Sequence, residues 1–104
     1  MKIAITSQGP TLEDNVDPRF GRCACFIIYD LDTDKFEAVE NPYATAGGGA
    51  GVQSAQLMAD KDVSVVLTGN PGPKASATFQ AADIKAVNTS GATVQAAIDE
   101  YRAG

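Results

Sequence analysis

The chain has 104 residues, a formal net charge of −5 and no histidine. Its length fits one domain, and its composition is ordinary for a globular protein. The acidic charge disfavours binding to nucleic-acid phosphates, and the lack of histidine excludes His-based catalysis and His-ligated zinc. No apolar run approaches the ~20 residues of a membrane span. The start, MKIAITSQG, lacks the apolar core of a secretory signal. We therefore expect a cytoplasmic protein that contacts neither nucleic acid nor membrane, and that binds or carries a ligand rather than catalysing a reaction.

The first half of the chain predicts three strands. Residues 2–6 alternate in polarity as a short strand does, and residues 7–22 hold prolines, glycines and aspartates that mark a long loop. Loops of this length often carry function. Residues 23–29 form a nearly continuous apolar run, which is typical of a strand buried on both faces. A turn then leads to the alternating segment 35–41, so the second and third strands form a hairpin.

The second half alternates helix and strand. A glycine-rich stretch over 42–51 leads into a helix over 50–61, and a buried strand follows over 63–69. Pro73 is well placed to open a second helix, and residues 84–87 form a last strand. The final helix is predicted from the spacing i, i+3, i+4, i+7 of Val94, Ala97, Ile98 and Tyr101.

This order of elements predicts an α/β fold with a five-stranded mixed sheet and three helices. Strands joined through helices run parallel by right-handed crossovers, so the first, fourth and fifth strands should be parallel. The hairpin adds two strands, one of them antiparallel to the others. We expect residues 1–104 to form a single domain.

The carboxyl edge of the parallel strands is the predicted site, because ligands in such sheets bind there. Helix N-termini and glycine amides would meet two arginines at this edge, an arrangement that suits an anion. Each glycine segment taken singly is also typical of a plain turn or linker. The candidate ligand-binding residues are Arg19, Arg22, Gly48, Gly49, Gly69, Asn70, Gly72, Thr89 and Ser90.

The two cysteines, Cys23 and Cys25, allow two interpretations. A disulfide between residues i and i+2 of a strand would be strained, so we expect free thiols. Side chains at i and i+2 share one face, and two thiolates there could ligate a soft metal such as copper or an iron–sulfur cluster. Free cysteine is equally a small buried apolar residue.

Carboxylates offer a different class of function. Asp14, Asp17 and Asp30 could hold a divalent metal for hydrolysis, although each also fits a local structural role. Asp17 precedes a proline and could serve as a turn residue or as the partner of an arginine.

Several motifs together resemble the dinitrogenase iron–molybdenum cofactor biosynthesis family, and the resemblance covers nearly the whole chain. They are V-D-P-R-F-G-R (16–22), F-I-I-Y-D (26–30), E-N-P (40–42), G-G-A-G-V-Q-S-A-Q (48–56), V-V-L-T-G-N-x-G-P (65–73) and G-A-T-V-Q-A-A-I (91–98). The resemblance implies a ribonuclease H-like sheet topology without ribonuclease activity. It also implies binding, storage or delivery of a polyanionic metal–sulfur cluster.

Two hypotheses follow. The first is a cytoplasmic, non-enzymatic carrier of an iron–molybdenum cofactor precursor or a molybdenum–copper sulfide cluster, as expected in an anaerobe, with a donor or acceptor protein as partner. Relatives are thought to use His or Cys as cluster ligands, so here Cys23 and Cys25 are the candidate metal ligands. The alternative is a regulatory or interaction module that binds a small anion.

Overall fold

The computed structural model describes residues 1–44, 49–69, 73–89 and 92–104. Its elements follow the predicted order: β1 (Lys2–Ser7), β2 (Cys25–Asp30), β3 (Lys35–Glu40), α1 (Ala50–Asp60), β4 (Val63–Thr68), α2 (Pro73–Ala81), β5 (Lys85–Asn88) and α3 (Val94–Ala103). The second strand begins at Cys25, so Cys23 precedes it. No helix in these ranges is long and apolar enough to cross a membrane.

The strands form one mixed sheet in the order β3-β2-β1-β4-β5. β1, β4 and β5 are parallel, and β2 is antiparallel to both of its neighbours. The predicted α/β fold, with five strands, three helices and a ribonuclease H-like topology, is confirmed. β1 lies at the centre because it pairs with β2 of the hairpin on one side and with β4 of the parallel half on the other.

Each face of the sheet is covered by its own apolar layer. Ala4, Phe26 and Ile28 pack with α1 and α2 on one face, and Ile3 and Ile27 pack with α3 on the other. Neighbouring residues of a strand point to opposite faces, so a strand covered on both sides needs an unbroken apolar run. The run in β2 meets that requirement, and its four central residues are buried.

The end of the sheet away from the predicted site is fixed by Arg102 near the end of α3. Its guanidinium pairs with Asp34 in the β2–β3 turn and lies 5.5 Å from the centre of the Tyr29 ring. The Tyr29 hydroxyl donates to the same carboxylate at 3.0 Å. This cluster ties α3 to the hairpin.

Aspartates in left-handed backbone conformations occupy the two short connections that follow α1 and α2. Asp62 has φ 60° and Asp83 has φ 59°. A side chain disfavours this conformation, whereas glycine adopts it freely.

Replacing Asp62 or Asp83 with glycine should therefore stabilise the protein. We expect Asp62→Gly and Asp83→Gly each to raise the free energy of unfolding by about 0.5–1 kcal/mol. Urea denaturation measures this change. Asp60→Gly, at the last helical position of α1, is the matched control and should lower stability because helical glycine is unfavourable. Equal effects of all three substitutions would contradict the conformational argument.

Candidate functional site

The carboxyl ends of the parallel strands lie at one edge of the sheet, as predicted. Ser7 ends β1 there, Thr68 ends β4 and Asn88 ends β5. Cys25 pairs with Ser7, so β2 starts at this same edge. The loop between β1 and β2 spans the edge and contains the predicted arginines.

A group of hydrogen bonds holds Asp17 of this loop against the ends of β1 and β4. The Asp17 amide donates to the Thr6 carbonyl at 2.9 Å, and the Thr6 hydroxyl donates to the Asp17 carbonyl at 2.6 Å. The Thr6 and Thr68 hydroxyls are 2.9 Å apart, and both threonines are fully buried. Two polar residues at the ends of apolar strands thus serve to attach the loop.

The buried carboxylate of Asp17 in turn holds Arg19. It accepts Nε at 3.1 Å, Nη2 at 3.1 Å and the Arg19 backbone amide at 2.9 Å. The Asp17 side chain is 2% exposed, whereas that of Arg19 is 67% exposed. Arg19 therefore presents an oriented guanidinium to solvent, but much of its charge is offset by Asp17.

The ion pair also shifts the pKa of both partners. Burial opposes ionisation of Asp17, but the hydrogen bonds and charge of Arg19 outweigh it and hold the pKa of that carboxyl below its usual value. The hydrogen bond to Asp17 likewise raises the pKa of Arg19. Both groups are charged at neutral pH.

The second arginine, Arg22, follows a tight turn at Gly21. The Arg22 amide donates to the Phe20 carbonyl at 2.7 Å, and Gly21 has φ +79°. The exposed Arg22 side chain donates from Nη1 to the Ala44 carbonyl at 3.3 Å. Phe20 anchors the turn in the core, where its ring packs edge-on against Phe79 at 4.9 Å.

Close backbone packing explains two glycines of the candidate region. A Cβ at Gly69 would lie 2.4 Å from the Pro18 carbonyl oxygen, and a Cβ at Gly21 would lie 2.9 Å from the Gly51 Cα. Gly69 thus accommodates the arginine loop itself. The lack of a side chain at Gly69 therefore has a structural reason, whether or not a ligand also approaches it.

The N-terminus of α1 is the open helix end beside the loop. Gly49 is its N-cap with φ +73°, no side chain of the described residues caps it, and a Cβ there would meet none of those residues within 4 Å. The predicted site residues Gly48, Asn70, Gly72 and Ser90 lie outside the described residues.

The N-terminus of α3, in contrast, is already occupied by the β1–β2 loop. The Val94 amide donates to the Asp14 carbonyl and the Gln95 amide to the Leu12 carbonyl, both at 2.9 Å. The cap is Thr93, whose hydroxyl accepts from the Ala96 amide at 3.1 Å.

Thr89 follows the end of β5 at the carboxyl edge. It lines a groove on the α3 side of the sheet together with Val87 and Tyr101. Phe20, by contrast, anchors the arginine loop in the α1–α2 layer. The Thr89 amide donates to the Thr68 carbonyl at 3.1 Å, which keeps the Thr89 backbone next to β4.

The two cysteines are free thiols, as expected, but they do not share a face. Cys23 is fully buried in the α1–α2 layer. Cys25 is half-buried and alternates with Phe26, so it lies on the face of Ile27. The shared face assumed that both belong to one regular strand, whereas β2 begins only at Cys25.

The surroundings of both thiols keep them protonated. Burial and the nearby Asp17 charge raise the pKa of Cys23 to about 12, despite a donor from Asn41 whose Nδ2 is 3.9 Å from the sulfur. Burial and the charges of Glu40 and Asp14 raise the pKa of Cys25. Among the described residues, no group of three Cys, Asp or Glu could hold a metal ion.

The alternative hydrolytic cluster does not form. Asp30 lies at the far end of β2, where it pairs with Lys2. Asp14 accepts the Thr11 amide at 2.8 Å, and Asp17 is held by Arg19. Of the roles considered for Asp17, that of an arginine partner is the one found.

The whole chain matches a known protein family. The model for the dinitrogenase iron-molybdenum cofactor family matches residues 1–104. The chain belongs to this family. Among curated proteins, it is 34% identical over 83 residues to an uncharacterized protein of Methanocaldococcus jannaschii, covering 77% of this chain and 67% of that protein.

Two solved structures of family-like proteins agree with the fold. The apo form of the orange protein from Desulfovibrio gigas is 43% identical, with a TM-score of 0.94 over 99% of this chain and 88% of that chain. A NifB-like protein of the DUF35 family from Thermotoga is 39% identical, with a TM-score of 0.87 over the same shares. Both likenesses extend over nearly the whole chain.

Removal of the Asp17 carboxylate should change the acid sensitivity of the fold. Because the folded pKa of Asp17 is lowered, its contribution is present above the unfolded value near pH 4 and is lost as pH falls below it. We expect Asp17→Asn to cost about 1–3 kcal/mol at pH 7. The difference from the wild type should shrink towards pH 2 in urea titrations. A difference that is constant with pH would contradict the ion-pair account.

Two glycine substitutions test the packing of the loop. Gly69→Ala should lower stability by about 1–3 kcal/mol, since its Cβ would overlap Pro18. Gly51→Ala is the matched control: its Cβ would lie 3.6 Å from that of Ala75, an ordinary contact, in a helix that favours alanine. Thermal denaturation compares them, and a stable Gly69→Ala would show that Pro18 does not pack as described.

Proposed function

We propose that this chain binds an anionic metal–sulfur cluster and stores or delivers it without catalysing a reaction on it. The cluster is either an iron–molybdenum cofactor precursor or a molybdenum–copper sulfide. The observation that carries the proposal is the arginine loop, clamped at the carboxyl edge beside the open N-terminus of α1. Family membership supports the same ligand class.

The geometry suits a polyanionic cluster whose sulfides are weak hydrogen-bond acceptors. Arg19 and Arg22 are exposed, and Asp17 fixes the orientation of the first. The open helix end at Gly49 adds backbone amides and a partial positive charge. Binding through many N–H donors leaves a preformed cluster chemically unchanged, which is what storage or delivery requires.

The cysteines take unequal parts in this proposal. Cys25 remains the candidate thiolate ligand, since it is only half-buried and deprotonation on metal binding could overcome its raised pKa. Cys23 packs in the core, where a charged thiolate would be costly. The bound cluster is therefore held mainly by arginines and amides.

A role in delivery implies an acceptor or donor protein and a reducing compartment. Because delivery needs a reducing compartment, we propose that the protein is cytoplasmic. We also propose that the organism is an anaerobe, in which such sulfur chemistry is expected. The exposed position of both arginines would let a partner reach the cargo without unfolding the carrier.

A small-anion module is the second candidate, favoured by the placement of the two cysteines on opposite faces of the sheet. A site that consists of two guanidinium groups and helix amides also fits a phosphate or carboxylate ligand. In this case the ligand would regulate contact with a partner.

Anaerobic reconstitution with tetrathiomolybdate, with and without copper, tests the main proposal. Retained visible bands at a fixed metal-to-protein ratio after desalting are expected. Arg19→Ala and Arg22→Ala should each weaken binding about five- to tenfold, since each removes charged hydrogen-bond donors. They should also weaken its salt dependence.

Lys85→Ala is the matched control for charge, because Lys85 is exposed on β5 and away from the arginine loop. It should leave tetrathiomolybdate binding unchanged. Equal losses of affinity in all three variants would show that binding depends only on the net charge of the protein. A melting temperature raised by phosphate but not by tetrathiomolybdate would favour the second candidate instead.

A further inference from the structure

We propose that Asn41 is the positioning residue for Arg22, because its side-chain amide holds the backbone on both sides of that arginine. The inference rests on the anion-binding function proposed above and names a residue that acts through Arg22 rather than on the ligand.

The Asn41 amide group lies between two carbonyls that flank Arg22. Its Nδ2 donates to the Gly21 carbonyl at 3.0 Å and to the Cys23 carbonyl at 2.9 Å. Asn41 is 5% exposed, so these bonds form in a protected environment. Both amide hydrogens thus have an acceptor, and the three-residue segment centred on Arg22 is clamped at its two ends.

The clamped segment needs such support because its tight turn is centred on a flexible residue. Gly21 is in a left-handed conformation, and the Arg22 amide bonds to Phe20 two residues before it. Glycine adopts this conformation freely but many others as well, so the turn alone does not fix the backbone at Arg22. Phe20 fixes the start of the turn in the core, and Asn41 fixes its end.

The same asparagine organises the acceptor of the Arg22 side chain. Its Oδ1 accepts the Tyr43 amide at 3.0 Å, and its carbonyl accepts the Ala44 amide at 3.4 Å. This turn carries the Ala44 carbonyl to which Arg22 Nη1 donates. Asn41 therefore sets both the backbone and one side-chain contact of Arg22.

Only an amide side chain meets both demands. It supplies two donors for the two carbonyls and an acceptor for Tyr43. Serine at this position keeps the short acceptor that such a turn uses, but it is too short to reach both carbonyls. Asn41→Ser thus removes the clamp while retaining the turn, and Asn41→Ala is a second variant that removes both.

A double-mutant cycle distinguishes positioning from general stability. Tetrathiomolybdate is the probe, and its affinity is measured at a temperature where every variant is folded. Asn41→Ser and Arg22→Ala should each weaken binding, by up to about tenfold, and the double variant should lose no more than Arg22→Ala alone. Asn41→Ser combined with Arg19→Ala should multiply the two losses.

Tyr29→Phe is the control that removes a side-chain hydrogen bond at the opposite end of the sheet. It should lower the melting temperature without changing probe affinity. Unchanged affinity in folded Asn41→Ser, or losses that multiply with those of Arg22→Ala, would overturn the proposal. If Asn41→Ser does not fold, exchange of the Asn41 side-chain amide hydrogens in the wild type tests the clamp instead, and exchange as fast as that of an exposed asparagine would overturn it.

Amide hydrogen exchange separates this proposal from the proposed function. Asn41→Ser should speed exchange of the Arg22 amide at least tenfold while the Asp17 amide keeps its protection. If wild-type protein binds no tetrathiomolybdate, the proposed function fails, and the exchange result still tests the clamp. Unchanged exchange at Arg22 would overturn the clamp whatever the probe does.

Discussion

The buried carboxylate of Asp17 is the constraint on which the candidate site depends. A charge at 2% exposure is tolerated only with close partners, and Arg19 supplies three hydrogen bonds. Thr6 and Thr68 attach the same residue to two strands through its backbone and through each other. The sheet therefore determines where the arginine loop lies, and the loop determines where a positive charge meets solvent on an acidic protein.

Glycine serves this arrangement mainly by letting backbones approach each other. Pro18 lies against Gly69, and Gly21 lies against Gly51 at the start of α1. Pro18 of the V-D-P-R-F-G-R motif is thus in direct contact with Gly69 of the V-V-L-T-G-N-x-G-P motif, which gives a structural reason for glycine at position 69. Gly49 differs, because within the described ranges nothing lies close to the Cβ position and no side chain caps its helix. Within these ranges, the helix end suited to a ligand is therefore that of α1.

The fold could be predicted from the sequence because hydrophobic periodicity reflects burial and the order of the elements reflects strand pairing. The apolar run of β2 reflects two covered faces, and the alternation of helix and strand reflects parallel pairing. The site was harder to predict. Asp14 and Leu12 fill the α3 end through main-chain carbonyls, which leave no mark on residue type. The expectation that the two cysteines share a face was wrong because one residue of irregular backbone before β2 changes the face of Cys23.

The roles of Thr6, Thr68 and Asn41 were also missed, although each had a weak signal. A hydroxyl at the end of an apolar strand and an Asn-Pro pair after a strand both suggest polar attachment. Their partners, however, are 11, 62 and about 20 residues away in the chain. Periodicity carries no information about contacts of that kind, so they appear only once the chain is folded.

An amide-resolved NMR titration with tetrathiomolybdate tests the central claim most directly, because it locates the ligand without any substitution. The account predicts that shifts concentrate on residues 19–22 and on the first turn of α1 after Gly49. It also predicts that the amides of Val94 and Gln95, which are already bonded to the loop, stay unchanged. Shifts centred on α3 and Thr89, with none at Arg19 and Arg22, would contradict it.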